Sequence, residues 1–180
     1  GSRDRDVGAG LLEGLAPAHG RLTGATMDLL SLCAFNAAYA DAIDSDRLEA
    51  WPAFFTADCE YRITHADNER DGLPAGIVWA DSRAMLEDRI AALREANIYE
   101  RQRYRHLLGM PLLRDRDDDA ALRADTPFVV VRIMATGESD VFASGVYRDR
   151  FVEHDGRLLL AARVAVCDSS VTDTLLALPL

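Results

Sequence analysis

TPFVVVRIMATGESDVFASGVYRDRFVEHDGRLLLAARVAVCD, residues 126–168, decides the fold. Its opening, Thr126 to Thr136, is β-branched and apolar. Gly137-Glu138 punctuates it, and Asp140 to Val152 resumes with the alternation of a half-buried strand. Asp155-Gly156 is a hairpin signal, because glycine supplies the positive φ that a tight turn demands. Arg157 to Asp168 then reads as a third strand, with Leu158, Leu160, Ala162, Val164 and Val166 on one face and Arg163 on the other. Three long antiparallel strands with one apolar face require a cover across that face, since a sheet cannot bury one side alone.

The N-terminal half supplies the cover. Residues 1–26 are rich in Gly, Ala and Pro without a sustained period, and read as a flexible extension whose leading Gly-Ser resembles a cloning remnant. From Thr26, an expected N-cap, Leu29, Leu32, Cys33, Asn36, Tyr39, Ala40 and Ile43 fall at helical spacing. Asp46 followed by Glu49 has the form of a capping box, and Leu48, Trp51, Phe54 and Phe55 place aromatics on one face of a short second helix. Cys59 to His65 alternates as a strand, and Ala66 to Ile77 reads as a loop. Asp81 caps a third helix with Met85, Leu86, Ile90, Leu93 and Asn97 inward. Arg105 to Leu112 reads as a further strand, and the acidic run Asp115 to Asp119 as a solvated loop. The apolar tail Thr174 to Leu180 must pack on this chain or on a partner, since water disfavours it. The expected architecture is α+β: one domain over 27–180, a curved antiparallel sheet of about five strands covered by N-terminal helices and wrapped into a cone.

Composition narrows the function. The formal net charge is -10 and all 20 basic residues are Arg. Phosphate backbones repel such a chain, so nucleic acid is not an expected partner. No run of about 18 apolar residues exists to span a bilayer, so no membrane association is expected. With no recognisable signal peptide, the expected location is the cytoplasm. Three widely spaced cysteines, Cys33, Cys59 and Cys167, suit reduced thiols better than a disulfide framework.

Chemistry-bearing patterns are sparse. The histidines His19, His65, His106 and His154 show no metal-ligand spacing. His65 with Asp67 could act as a general base with its orienter at the mouth of a cone, but a strand-end histidine bound to backbone is the favoured reading, since one histidine near one aspartate is common. Tyr39 and Asp41 could line such a pocket; core and rim are their commoner roles. Asp168-Ser169-Ser170 lacks the nucleophile elbow and reads as a turn, and no glycine-rich phosphate loop is present. The unusual stretch is Asn97 to His106, where Arg101, Arg103 and Arg105 alternate with Gln102 and Tyr104 and follow Tyr99. Extended, it puts the arginines on one face, an array suited to carboxylates or a protein partner, or to this chain's own acidic residues.

Gly76-Ile-Val-Trp-Ala-Asp81, Leu93 to Arg101, Arg103-Tyr-Arg-His106, Val166-Cys-Asp-Ser169 and Asp173-Thr-Leu-Leu176 together resemble the small (β) subunits of aromatic-ring-hydroxylating dioxygenases. Within that family the likeness is greatest to the terephthalate branch, with the anthranilate and benzoate branches next, and it runs from about Leu32 to Leu180. The resemblance implies a cone of the nuclear-transport-factor-2 type and a non-catalytic chain that holds no cofactor. It implies a large (α) subunit partner carrying a Rieske 2Fe-2S cluster and a mononuclear iron, in an α3β3 assembly that converts an aromatic carboxylate to a cis-dihydrodiol. Under it, the candidate contacts are Tyr99, Arg101, Arg103, Tyr104, Arg105, Leu178 and Leu180. The rival readings are a stand-alone cone-fold isomerase or dehydratase using His65 with Asp67 or Asp41, and a small-ligand binding module. An open polar cone favours the rivals; a cone plugged by Trp51 and Phe55 favours the scaffold.

Overall fold

The computed structural model describes residues 27–73, 76–96, 102–169 and 178–180. Helix α1, Leu29–Asp44, is capped by Asp28, with Thr26 outside the described residues. Asp28 Oδ1 accepts from the Ser31 amide at 2.8 Å while Ser31 Oγ accepts from the Asp28 amide at 3.0 Å, which satisfies two donors that a helix start leaves open. The helix buries Leu32, Asn36, Tyr39, Ala40, Ala42 and Ile43, close to the stripe read from sequence. Residues Leu48–Phe54 form a 3₁₀ helix. Its N-terminus lacks the expected capping box: Asp46 and Glu49 instead grip the Arg94 guanidinium, at 2.8 and 2.7 Å. Paired with a cationic guanidinium, each carboxylate gains an opposite charge that a backbone amide at the helix start does not offer.

There follow β1 (Phe55–His65), α2 (Ala66–Arg70), β2 (Val78–Ala80), α3 (Arg83–Ala96), β3 (Gln102–Leu108), β4 (Leu112–Arg116), β5 (Leu122–Met134), β6 (Ser139–His154) and β7 (Arg157–Cys167). They form one sheet in the order β2-β1-β7-β6-β5-β3, with β4 also paired to β5. Every pairing is antiparallel except that of β1 with β7, which is parallel. The short strands β2 and β4 exceed the five expected; β4 takes in the start of the acidic run, and α2 occupies part of the expected loop. On α3, Leu86 and Ile90 are buried but Met85 is exposed, and Asn97 lies outside the described residues. The β6–β7 turn has Asp155 at φ 51° and Gly156 at φ 71°, the two left-handed residues of a type I′ hairpin.

One expectation fails in β7. Phe151 pairs with Leu160 but Arg150 pairs with Ala162, so Ala161 is an extra residue. A one-residue bulge switches the faces of everything beyond it. Arg163 and Ala165 therefore stand opposite the core residues Tyr61 and Ile63 of β1, inside the cone, and Arg163 is fully buried rather than solvent-facing.

The sheet wraps α1 and the 3₁₀ helix, and the enclosed space is aromatic. Trp51, Phe55, Tyr39, Tyr61, Tyr147 and Phe151 are all 0% exposed. Trp51 meets Phe55 and Tyr61 edge to face at 5.4 and 5.1 Å, the offset geometry that ring quadrupoles favour. Where β6 crosses β7, an added Cβ on Gly145 would sit 2.0 Å from the Val166 carbonyl oxygen. Gly145→Ala should therefore cost about 3 kcal/mol in urea denaturation, because rigid backbone rather than a flexible side chain must move.

Candidate functional site

A cone-fold enzyme works from the inside of its cone. Here that space is filled. At its centre Arg163 Nε and Nη2 donate to the two Asp149 carboxylate oxygens at 2.8 and 2.7 Å, and both side chains are fully buried. Arg163 Nη2 also donates to Asn36 Oδ1 at 2.6 Å, and Asn36 Nδ2 donates to Thr126 Oγ1 at 3.2 Å. The guanidinium lies 4.1 Å from the Tyr39 ring centre and 4.3 Å from that of Tyr147, a sandwich suited to a planar cation. Burial pulls the Arg163 pKa down, but the Asp149 carboxylate pulls it up further, so the group stays charged. Leu178 and Leu180 are buried in the same core, and the Tyr39 hydroxyl donates to a main-chain oxygen of Leu180 at 2.9 Å.

The residues considered for catalysis do not converge. The His65 ring Nδ1 lies 2.8 Å from the Ser169 carbonyl oxygen, the strand-end backbone contact that needs no catalytic role. Asp67 is paired with Arg70 at 3.0 Å. Asp41 is bonded to Arg47 and Ser45, which hold its carboxyl below the usual range. Asp168 accepts from Ser144 Oγ at 2.8 Å. His154 lies exposed beside the hairpin turn; His19 is outside the described residues. Clefts of about 600 and 470 Å³ flank β3, and His65 lines neither.

Strand β3 separates its residues by alternation. Tyr104 and His106 turn inward, at 1% and 8% exposure, while Arg103, Arg105 and Leu107 turn outward. Tyr104, Leu178 and Leu180, read from sequence as contacts for a partner, are thus taken up by this chain's own interior. Tyr99 and Arg101 lie outside the described residues. Outside, Arg105 stands opposite Val131 and Leu107 opposite Val129, with Val141 next to Val131 on β6. Leu107 is 57% and Val141 67% exposed. Arg103 makes no ion pair among the described residues, and Arg105 reaches Asp44 only at 3.9 Å.

A pair missed by sequence reading anchors this strand to α1. Asp44 accepts from the His106 amide at 2.9 Å and lies 2.6 Å from the His106 ring Nδ1. No local spacing announces two residues so far apart in the chain. Among the described residues no group of three or more His, Cys, Asp or Glu side chains could hold a metal ion. Burial also pushes the Cys59 and Cys167 thiols up to about 11, which holds them protonated and makes them poor ligands. This donor set does not fit an iron centre.

Residues 38–174 match the family described as the ring hydroxylating β subunit. The chain is 63% identical over 151 residues to the terephthalate 1,2-dioxygenase terminal oxygenase component subunit β 1 of Comamonas sp, across 84% of this chain and 97% of the relative. It is 41% identical over 143 residues to the anthranilate 1,2-dioxygenase small subunit of Burkholderia cepacia, across 79% of this chain and 88% of that one. Among solved structures, a β subunit of an aromatic-ring-hydroxylating dioxygenase from Novosphingobium aromaticivorans superposes with a TM-score of 0.77 at 37% identity, covering 84% of this chain and 96% of that chain. ActVI-ORFA from Streptomyces coelicolor shares the fold, with a TM-score of 0.63 at 19% identity over 79% of this chain and 96% of its own.

Two outcomes follow from the filled interior. Asp149→Ala, which strands the Arg163 charge, should cost about 3–5 kcal/mol in thermal or urea unfolding, whereas Asp149→Leu with Arg163→Met should recover most of it. Burial raises the pKa of Cys59 and Cys167 from 9.0 to about 11, and raises Tyr39, Tyr61 and Tyr147 above 10.0. The unfolded chain ionises these groups first, so their contribution is complete below about pH 9 and is lost as pH rises toward 11. A flat Tm up to pH 9 followed by a fall is expected, with Cys33 labelled by thiol reagents before Cys59 and Cys167.

Proposed function

The chain belongs to the family of ring-hydroxylating dioxygenase β subunits, and from that membership we propose that it is the small subunit of the oxygenase component of a terephthalate 1,2-dioxygenase. The observation that carries the non-catalytic part of this reading is the filled cone. Trp51, Phe55 and the Arg163–Asp149 pair occupy the volume in which a cone enzyme would hold substrate. The terephthalate branch rests on the named relatives. The aromatic substrate, O2 and the reducing equivalents are handled elsewhere, on a large subunit that holds the Rieske cluster and the mononuclear iron. The chain's own contribution is shape and assembly: a rigid wedge that fixes the large subunits relative to one another in an α3β3 complex. Its setting is the cytoplasm; among the described residues no helix is long and apolar enough to cross a membrane.

The surface assigned to the large subunit is the outer face of β3, β5 and β6. Arg103 and Arg105 project from it beside exposed Leu107 and Val141, a mixture of planar cation and aliphatic surface that protein interfaces favour. In sequence, Tyr99 and Arg101 complete the set.

Co-expression with a terephthalate dioxygenase large subunit tests the reading. The expected product is a coloured complex with equal numbers of the two chains by light scattering, with terephthalate turnover only when both are present. Turnover by this chain alone, or its failure to join the large subunit, would overturn it. Arg103→Ala with Arg105→Ala should weaken association about tenfold or more while Tm moves little. A lowered Tm with unchanged assembly would instead place both arginines in internal pairing.

A further inference from the structure

Among the described residues, the large exposed apolar side chains fall in separate places. Leu107 and Val141 belong to the face already assigned, and Leu30, Met110, Leu112 and Leu113 lie on α1 and around β4. The others, Leu73, Ile77, Trp79 and Met85, lie on β2 and on the segments that flank it, at the opposite end of the sheet. Single apolar residues on a surface need no explanation, but a group of them around one edge strand does.

Trp79 leads this group. It is 59% exposed, and with Ile77 it points away from the side to which Val78 and Ala80 turn. The backbone that carries it is held tightly. The Ile77 amide donates to the Ile63 carbonyl at 2.7 Å, and Gly76 permits the approach, since an added Cβ would lie 2.9 Å from the Val78 carbonyl oxygen and 3.2 Å from that of Ile63. A main chain fixed in this way leaves less to order when the indole docks, and tryptophan is a side chain that binding hot spots concentrate.

The same end of the molecule is acidic. From Asp58 to Asp81 the chain has six carboxylates and two arginines. Arg62, opposite Trp79 on β1, reaches Glu60 and Glu69 at 3.4 and 3.7 Å, and Glu69 is shared with Arg148. Arg70 is paired with Asp67 and Asp71 at 3.0 and 3.2 Å, and Arg83, next along the chain, with Glu87 at 3.7 Å. The nearby cations are thus engaged, and the exposed Asp58 and Asp81 set the sign of the surface.

The face around β3 presents Arg103 and Arg105 instead, so the two surfaces differ in sign and do not suit the same patch on a partner. A small subunit that fixes large subunits relative to one another needs two unlike surfaces, because a ring closes through heterologous contacts. We propose that Trp79 and Ile77, within their surround of carboxylates, dock on a second large subunit, next in the ring to the one held by β3, in an apolar pocket rimmed by Arg or Lys. This rests on the α3β3 reading and names the second contact that it requires.

The test follows by light scattering, on dilution, the mass of the complex formed with a terephthalate dioxygenase large subunit. Trp79→Ala with Asp81→Asn should leave the Tm of the lone chain and its pairing with one large subunit unchanged. The variant complex should fall to αβ pairs at a protein concentration about tenfold higher than the wild type does. If that variant lowers the Tm, Asp58→Arg with Asp81→Arg, which keeps the indole and β2 in place, decides by the same measurement. A complex as resistant to dilution as the wild type overturns the proposal. So does self-association of the lone chain that Trp79→Ala abolishes, which would give the surface to a second copy. A wild-type chain that never joins the large subunit overturns the α3β3 reading, and the second contact with it.

Discussion

A single buried ion pair sets the terms for the rest of this molecule. Arg163 on β7 is held by Asp149 on β6, by Asn36 on α1 and by the faces of Tyr39 and Tyr147. Asn36 passes the constraint to Thr126 on β5. Three strands and the covering helix are thereby tied at one point, each to a particular register. A guanidinium fork tolerates little error in the angle of its partners, whereas apolar packing at the same place would accept several arrangements. The pair therefore specifies the cone more than it stabilises it, since the desolvation of two charges offsets much of their attraction.

Filling the cone in this way separates inside from outside. The interior groups hold the wall, and on the convex face the alternation of β3 leaves Arg103, Arg105 and Leu107 uncovered. One strand thus serves both tasks: Tyr104 and His106 close the interior while their neighbours offer a surface. The same logic governs α1, whose Asp44 secures His106 from the helix end.

How much of this was legible in the sequence depended on the range of the interaction responsible. The Asp155-Gly156 turn and the α1 stripe rest on local rules, and both are where the residues placed them. Arg163 was misplaced because the bulge at Ala161 arises from pairing with β6, and alternation read along one strand cannot register an extra residue. The capping box at Asp46 and Glu49 was displaced by Arg94, far along the chain. Tyr104 was grouped with the arginines by segment, through the family resemblance, whereas alternation along β3 turns it inward. The His65 reading came down to backbone bonding, as a lone strand-end histidine favours. The filled cone, which decides between scaffold and enzyme, followed from the aromatic residues only once their common volume was known.

The parallel pairing of β1 with β7 carries a consequence for how the protein is made. One edge of the first long strand is taken early by the short β2, but its other edge must wait for the last strand, since β1 finds its second neighbour only when Arg157–Cys167 has been synthesised. Until then Tyr61 and Ile63, which end fully enclosed, lack the Arg163 and Ala165 that stand opposite them on β7. A nascent chain stalled before β7 therefore exposes both an unpaired strand edge and an apolar face, the state in which chains associate wrongly. The translation of the final strand is the clasp that ends this exposure.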